Sequence, residues 1–209
     1  MPAPTQESLY PRESPHGRRV AEFCDDLRSM DLVQVIRKHI TTGMPVALER
    51  DKYFVLRQRV AEKFGIHPNQ AVVVGSARMG FSLKAKKRFA DRAPSDIDLA
   101  IVSDVLFQEY WDMVFGKVRR DRYWARQTPE AKRFVKCLFS GWITPDELPS
   151  NPTFDRSRVW SNFFDSLSQE RVCGGIAVKA RLYRDWNRLE AYHEIHVADC
   201  KRYVEGENL

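Results

Sequence analysis

Residues 71–103 constrain this chain more than any other part of it: AVVVGSARMGFSLKAKKRFADRAPSDIDLAIVS. An apolar run rich in β-branched residues ends at Gly75-Ser76, a basic insertion follows, and a second apolar run opens with Asp96-Ile97-Asp98. Runs of this length, the first halted by glycine, predict strands buried on both faces at 71–74 and 99–102. Side chains alternate along a strand, so Asp96 and Asp98 are expected on one face and Ile97, Leu99 and Ile101 in the core. Ala100, next on the carboxylate face, leaves room beside them. Two carboxylates about 6–7 Å apart on one face repel each other if dry and unpaired, and a hard divalent cation is the natural remedy. Mg²⁺ is usually held by one or two carboxylates together with substrate phosphates. Gly75 lets backbone approach a ligand closely, and Ser76 at a helix start offers N–H and hydroxyl groups to phosphate. Together these residues predict a metal–triphosphate site.

At Gly75, Ser76, Asp96 and Asp98, with the flanks Ser95-Asp96-Ile97-Asp98-Leu99-Ala100-Ile101-Val102, the chain resembles the nucleotidyltransferase superfamily of polymerase-β-like fold. The small members, the minimal nucleotidyltransferases, look most similar. The resemblance rests on the order strand, Gly-Ser turn, Asp-x-Asp and second strand, since a bare Asp-x-Asp would say little. It implies an α+β fold, with a small mixed sheet carrying the two motifs and helices before and after it. It also implies transfer of an NMP from an NTP to a hydroxyl acceptor, with release of pyrophosphate. Asp96 and Asp98 would hold Mg²⁺ or Mn²⁺, Gly75 and Ser76 would bind the β- and γ-phosphates, and Arg78, Lys84 or Lys179 would neutralise the leaving pyrophosphate. Among minimal nucleotidyltransferases the acceptor is protein or RNA, often in a toxin–antitoxin or phage-defence setting. Aminoglycoside-modifying relatives use small molecules instead.

Two features depart from the superfamily pattern. Residues 77–95 are longer than the usual spacing, and the surplus, SLKAKKRFADRA at 82–93, carries Lys84, Lys86, Lys87, Arg88 and Arg92 against Asp91 alone. Either this is a solvated basic loop, or residues 84–92 lean over a triphosphate or polyanionic acceptor. The second departure lies at 176–183, IAVKARLY, which alternates as a strand with one polar face. There the superfamily's third carboxylate is expected, and the polar face offers Lys179 and Arg181. The nearest acid is Asp185, past the strand. A third ligand from elsewhere, a two-aspartate site with a cation arriving on the nucleotide, and a module that only binds all remain open. The last reading makes the chain a binding module for nucleotide, nucleic acid or a toxin partner.

The rest of the chain reads as one domain, 18–209, behind a flexible arm at 1–17 that holds four prolines. Helical spacing of Val20, Phe23, Leu27, Leu32, Val33, Ile36 and Ile40 predicts one or two helices ending at Gly43, and a further helix fits 46–64 before Gly65. Beyond the motif core at 71–103, residues 104–209 are expected to supply mostly helices. Ser103 is positioned to cap a helix reaching to about Arg120. Lys117, Arg119, Arg120, Arg122 and Arg126, interleaved with Tyr123 and Trp124, are read as a solvated helix end rather than a base-stacking surface. Thr128-Pro129-Glu130 opens a helix through Phe139. Residues 142–154, with three prolines, read as a connection, and Trp160, Phe163, Phe164 and Leu167 as core. In the last helix, 185–203, His193 and His196 are read as packing or surface residues and not as metal ligands.

Composition sets bounds without choosing a function. Hydrophobic residues make up 43% of 209, enough for a substantial core, and the formal net charge of +6 permits a polyanionic partner without requiring one. Cys24, Cys137, Cys173 and Cys200 have no C-x-x-C spacing, which favours reduced thiols. No apolar run approaches membrane-spanning length, and no secretory leader pattern opens the sequence. A cytoplasmic protein with no membrane partner is expected.

Overall fold

The computed structural model describes residues 12–91, 93–148 and 154–206. Residues 1–11 of the expected arm, Arg92 of the basic insertion, and Pro149 and Pro152 of the expected connection lie outside the described residues. The protein is α+β: among the described residues it has nine α-helices and a four-stranded mixed sheet of order β1-β2-β4-β3. The strands are β1 (Ala71–Val74), β2 (Asp96–Val102), β3 (Trp142–Ile143) and β4 (Ala177–Tyr183). The chain divides into two compact units, one from residues 1–50, 73–97 and 190–209, the other from 51–72 and 98–189.

The first unit opens with α1 (Pro15–Ser29), three residues before the expected start. The reason is local: Ser14 Oγ accepts the Gly17 N–H at 2.9 Å, and Pro15 occupies the first turn, where its missing N–H costs nothing. Val20, Phe23, Cys24 and Leu27 form its buried stripe. Asp31 caps α2 (Leu32–Ile36), which runs into a π turn at Arg37–Thr41 and stops before Gly43. The helix expected from residue 46 begins later, as α3 (Arg50–Phe64), which from Asp51 onward belongs to the second unit. Val46 and Ala47 instead donate their N–H groups to the carbonyls of Arg78 and Ala77, at 3.1 and 3.0 Å, and so tie down the short α4 (Gly75–Met79).

In the second unit, Ser103 caps α5 (Asp104–Arg120) by accepting the Leu106 N–H at 3.2 Å, as the sequence implied. Two further helices follow, α6 (Trp124–Gln127) and α7 (Pro129–Phe139). Trp142 and Ile143, expected within a connection, form β3, antiparallel to β4 through Trp142–Tyr183 and Ile143–Leu182. Two residues are too few to show a period, so only the partner strand reveals them. Next comes α8 (Asp155–Gln169), whose Trp160, Phe164 and Leu167 are buried. Phe64 packs on Trp160, Phe163 and Phe164 with ring centroids 5.0–5.8 Å apart, so the aromatic stripe is core, as expected. Ser168 Oγ accepts the Val178 N–H at 2.8 Å and fastens β4 to α8. The last helix is α9 (Trp186–Val204), whose residues from Glu190 onward belong to the first unit.

Candidate functional site

Strand β2 has the alternation its sequence predicts. Ile97 and Leu99 are fully buried, while Asp96 and Asp98 are half-buried on the opposite face. Their common facing is a property of one strand with a single residue between them. Ser95 Oγ donates to Asp96 Oδ1 at 3.2 Å. The Gln70 side chain, just before β1, donates to the Val102 carbonyl at the end of β2. These neighbouring strands therefore run antiparallel, and the end of β1 lies at the same edge of the sheet as the start of β2.

β1 is buried throughout and passes directly into α4. Gly75 makes this possible, because its φ of +66° is a left-handed conformation that side-chain-bearing residues adopt only with strain. Ser76 follows in the first turn of α4 and is half-buried. Arg78, expected to bind nucleotide, is buried and donates from Nη1 to the Met44 carbonyl, with its guanidinium against Gly43. Its place in the fold is a brace between α4 and the 43–46 segment. Lys84 is exposed at the start of a one-turn 3₁₀ helix, Ala85–Lys87.

The basic insertion is not a free loop. Phe81, just before it, and Phe89, within it, are 2% and 1% exposed, and with Phe23 they form a cluster of rings 5.6–6.1 Å apart. The Phe89 N–H donates to the Ser82 carbonyl at 2.8 Å, and His16 Nε2 donates to the Phe89 carbonyl at 2.9 Å. Arg88 lies over the Tyr203 ring at 4.4 Å. Phe89 has φ +59°, costly for an aromatic residue and offset by its complete burial. Attention to the cations alone passed over these two phenylalanines, although both stand in the sequence at the margins of the charge run.

In the second unit, the Ser103 N–H donates to the Tyr183 carbonyl at 3.0 Å, joining the ends of β2 and β4, so the two strands run parallel. Carried back along both strands, that register sets Asp98 opposite Lys179 and Ala100 opposite Arg181. The Arg181 guanidinium lies 5.1 Å from the Trp142 ring centre. Asp96, Asp98, Lys179 and Arg181 each take part in further interactions, so none is an isolated charge. Asp185 lies six residues beyond Lys179, about 20 Å along a strand direction. Burial would raise its carboxyl, but hydrogen bonds from Arg184 and the Arg188 N–H hold it below the usual range. It therefore serves the start of α9.

Among the described residues, no group of three or more His, Cys, Asp or Glu converges as a metal site. Two half-exposed carboxylates one residue apart nevertheless fit Mg²⁺, which keeps several waters and completes its shell with phosphate oxygens. All four cysteines are free and buried, and desolvation pushes the thiols of Cys24, Cys173 and Cys200 up to about 11. No described helix is long and apolar enough to cross a membrane. No family model, curated protein or solved structure matches this chain.

Proposed function

We propose that this protein is a nucleotidyltransferase that moves an NMP from an NTP to a hydroxyl acceptor and releases pyrophosphate. The observation that carries this reading is the face of β2, where Asp96 and Asp98 stand half-exposed while Ile97 and Leu99 anchor the strand in the core. Gly75 and Ser76, at the turn from β1 into α4, are the groups assigned to the phosphates, through backbone N–H and hydroxyl. Asp96 and Asp98 would hold Mg²⁺ or Mn²⁺, which when bound bridges phosphates and lowers the pKa of the attacking hydroxyl. Lys179, opposite Asp98, and the exposed Lys84 are assigned to charge on the leaving pyrophosphate. Arg78 is left out of this set because its guanidinium is turned to Met44. The sheet is accordingly read as the nucleotidyltransferase type, and the acceptor as protein or RNA. A cytoplasmic toxin–antitoxin or phage-defence role fits that chemistry.

Incubation with labelled NTPs, Mg²⁺ and cell extract tests the proposal. Label should enter the protein or RNA fraction, and Asp98→Asn should lower transfer at least about a hundredfold while the far-UV circular dichroism is unchanged. Unchanged transfer by a folded Asp98→Asn protein would sink the mechanism. One observation favours a second reading, a module that binds nucleotide without transferring it. A lysine, Lys179, stands across from Asp98 on the strand where the superfamily carries its third carboxylate. Nucleotide binding without pyrophosphate release against any acceptor fraction would select that reading.

A further inference from the structure

Residues 117–136 contain eight Lys or Arg and two acidic residues, a balance of +6 that equals the formal net charge of the whole chain. Positive charge is thus concentrated at the end of α5 and on α6 and α7. Lys117 is paired with Asp121 at 3.3 Å, and Arg133 with Glu147 at 2.8 Å. Arg119, Arg120, Arg122, Arg126, Lys132 and Lys136 are exposed, and none has an acidic partner among the described residues.

A charge run alone is usually a solvated face, but this one surrounds aromatic rings. Phe115, Tyr123 and Phe139 are 54%, 75% and 72% exposed. Trp111 of α5 meets Phe139 of α7 edge to face at 5.3 Å, and Arg119 lies 5.9 Å from the Phe115 ring centre. Trp111, Phe115 and Arg119 follow at four-residue steps, so they form a row along α5. Of the aliphatic residues of the same helices, Leu106, Val114 and Leu138 are buried, Val118 and Val135 half-buried, and Val105, in the first turn of α5, exposed. Around Phe115 and Phe139 the exposed groups include both rings and cations, the pair that stacks bases and neutralises phosphates.

We propose that this face, Trp111, Phe115 and Phe139 with Arg119, Arg122 and Lys136, binds single-stranded nucleic acid. A duplex hides its base faces and gains only from the charge. A second copy of the chain would bring like charge against like charge. A membrane-surface helix sets its rings and its cations on opposite faces, whereas Trp111, Phe115 and Arg119 share one row here. The proposal stands on the surface of the second unit and is independent of the metal–triphosphate reading.

The test is fluorescence anisotropy of a labelled oligouridylate of about twenty nucleotides, titrated with the full chain at low and moderate salt. Neutralising four phosphates should weaken binding roughly fiftyfold between about 50 and 200 mM salt. The double variant Phe115→Ala/Phe139→Ala should lose at least about tenfold in affinity for the single strand and keep its affinity for a duplex of equal length. Phe115→Leu/Phe139→Leu, apolar but without a ring face, should lose as much. Arg119→Gln/Arg122→Gln should flatten the salt dependence. Full single-strand affinity in either phenylalanine variant overturns the proposal, as does retention on phosphatidylserine vesicles by a protein that fails to bind the oligonucleotide.

Discussion

Two stretches of this chain look alike in composition and differ in the rings they leave in solvent. Residues 82–93 and 117–136 are both crowded with Lys and Arg, and both contain or adjoin aromatic residues. In the first, Phe81 and Phe89 are sealed against Phe23, and the cations are carried on a loop whose two ends are pinned. In the second, Trp124 and Phe134 are buried, but Tyr123 within it and Phe115 and Phe139 beside it stand in solvent among the cations. Charge therefore does not decide which rings are covered. The decision lies with where the rings can go: α1 offers the first stretch an apolar stripe, whereas the α5 stripe is already filled by Leu106, Tyr110 and Val114.

The largest effect that could break this contrast is at Phe89. Phe89→Ala removes a fully buried ring and should destabilise the protein by about 3–5 kcal/mol, measured by chemical denaturation. Glycine is ordinarily worse than alanine by about 0.5–1 kcal/mol in regular structure, but at φ +59° alanine keeps the left-handed strain and glycine does not. Phe89→Gly should therefore be no less stable than Phe89→Ala. A loss under about 1 kcal/mol for Phe89→Ala would mean that Phe89 does not anchor the insertion.

The same contrast explains what could be read in advance. The β2 alternation, the Ser103 cap and the core stripe of α8 were legible because each depends on residues close in sequence: a period of two, a hydroxyl before an apolar run, rings at helical spacing. β3 was not, since a two-residue strand is defined by Tyr183 and Leu182, some forty residues away. Nor was the inward turn of Arg78, whose partner is the Met44 carbonyl. Lys179 was legible as a residue of the polar strand face, but its place opposite Asp98 depends on the pairing of β4 with β2.

A smaller effect sharpens the account of how the first stretch is held. Asp26 accepts from Lys38 at 2.7 Å and from His39 at 2.6 Å, and His39 stands edge-on to Phe23 at 5.2 Å, beneath the ring cluster. Burial would raise the Asp26 carboxyl, but the hydrogen bonds from Lys38 and His39 outweigh it and hold the pKa below the usual carboxylate value. Because the folded pKa is the lower one, the contribution of Asp26 is complete above the unfolded value, near pH 4, and is lost as pH falls through the folded value. Asp26→Asn should cost about 1–3 kcal/mol at neutral pH. The gap between wild type and variant should close as the pH is lowered below about 4. A gap that stays constant into acid would show that the carboxylate charge is not what braces His39.

The smallest expected effect lies at Phe139, and its smallness is the point. A residue 72% exposed whose ring meets Trp111 edge to face gives up little burial when truncated. Phe139→Ala should change stability by no more than about 0.5 kcal/mol, as for ordinary surface substitutions, against several for Phe89→Ala. A large loss at Phe139 would make its ring part of the α5–α7 packing and erase the difference between the two basic stretches. A near-neutral result leaves a solvated aromatic that the fold does not need.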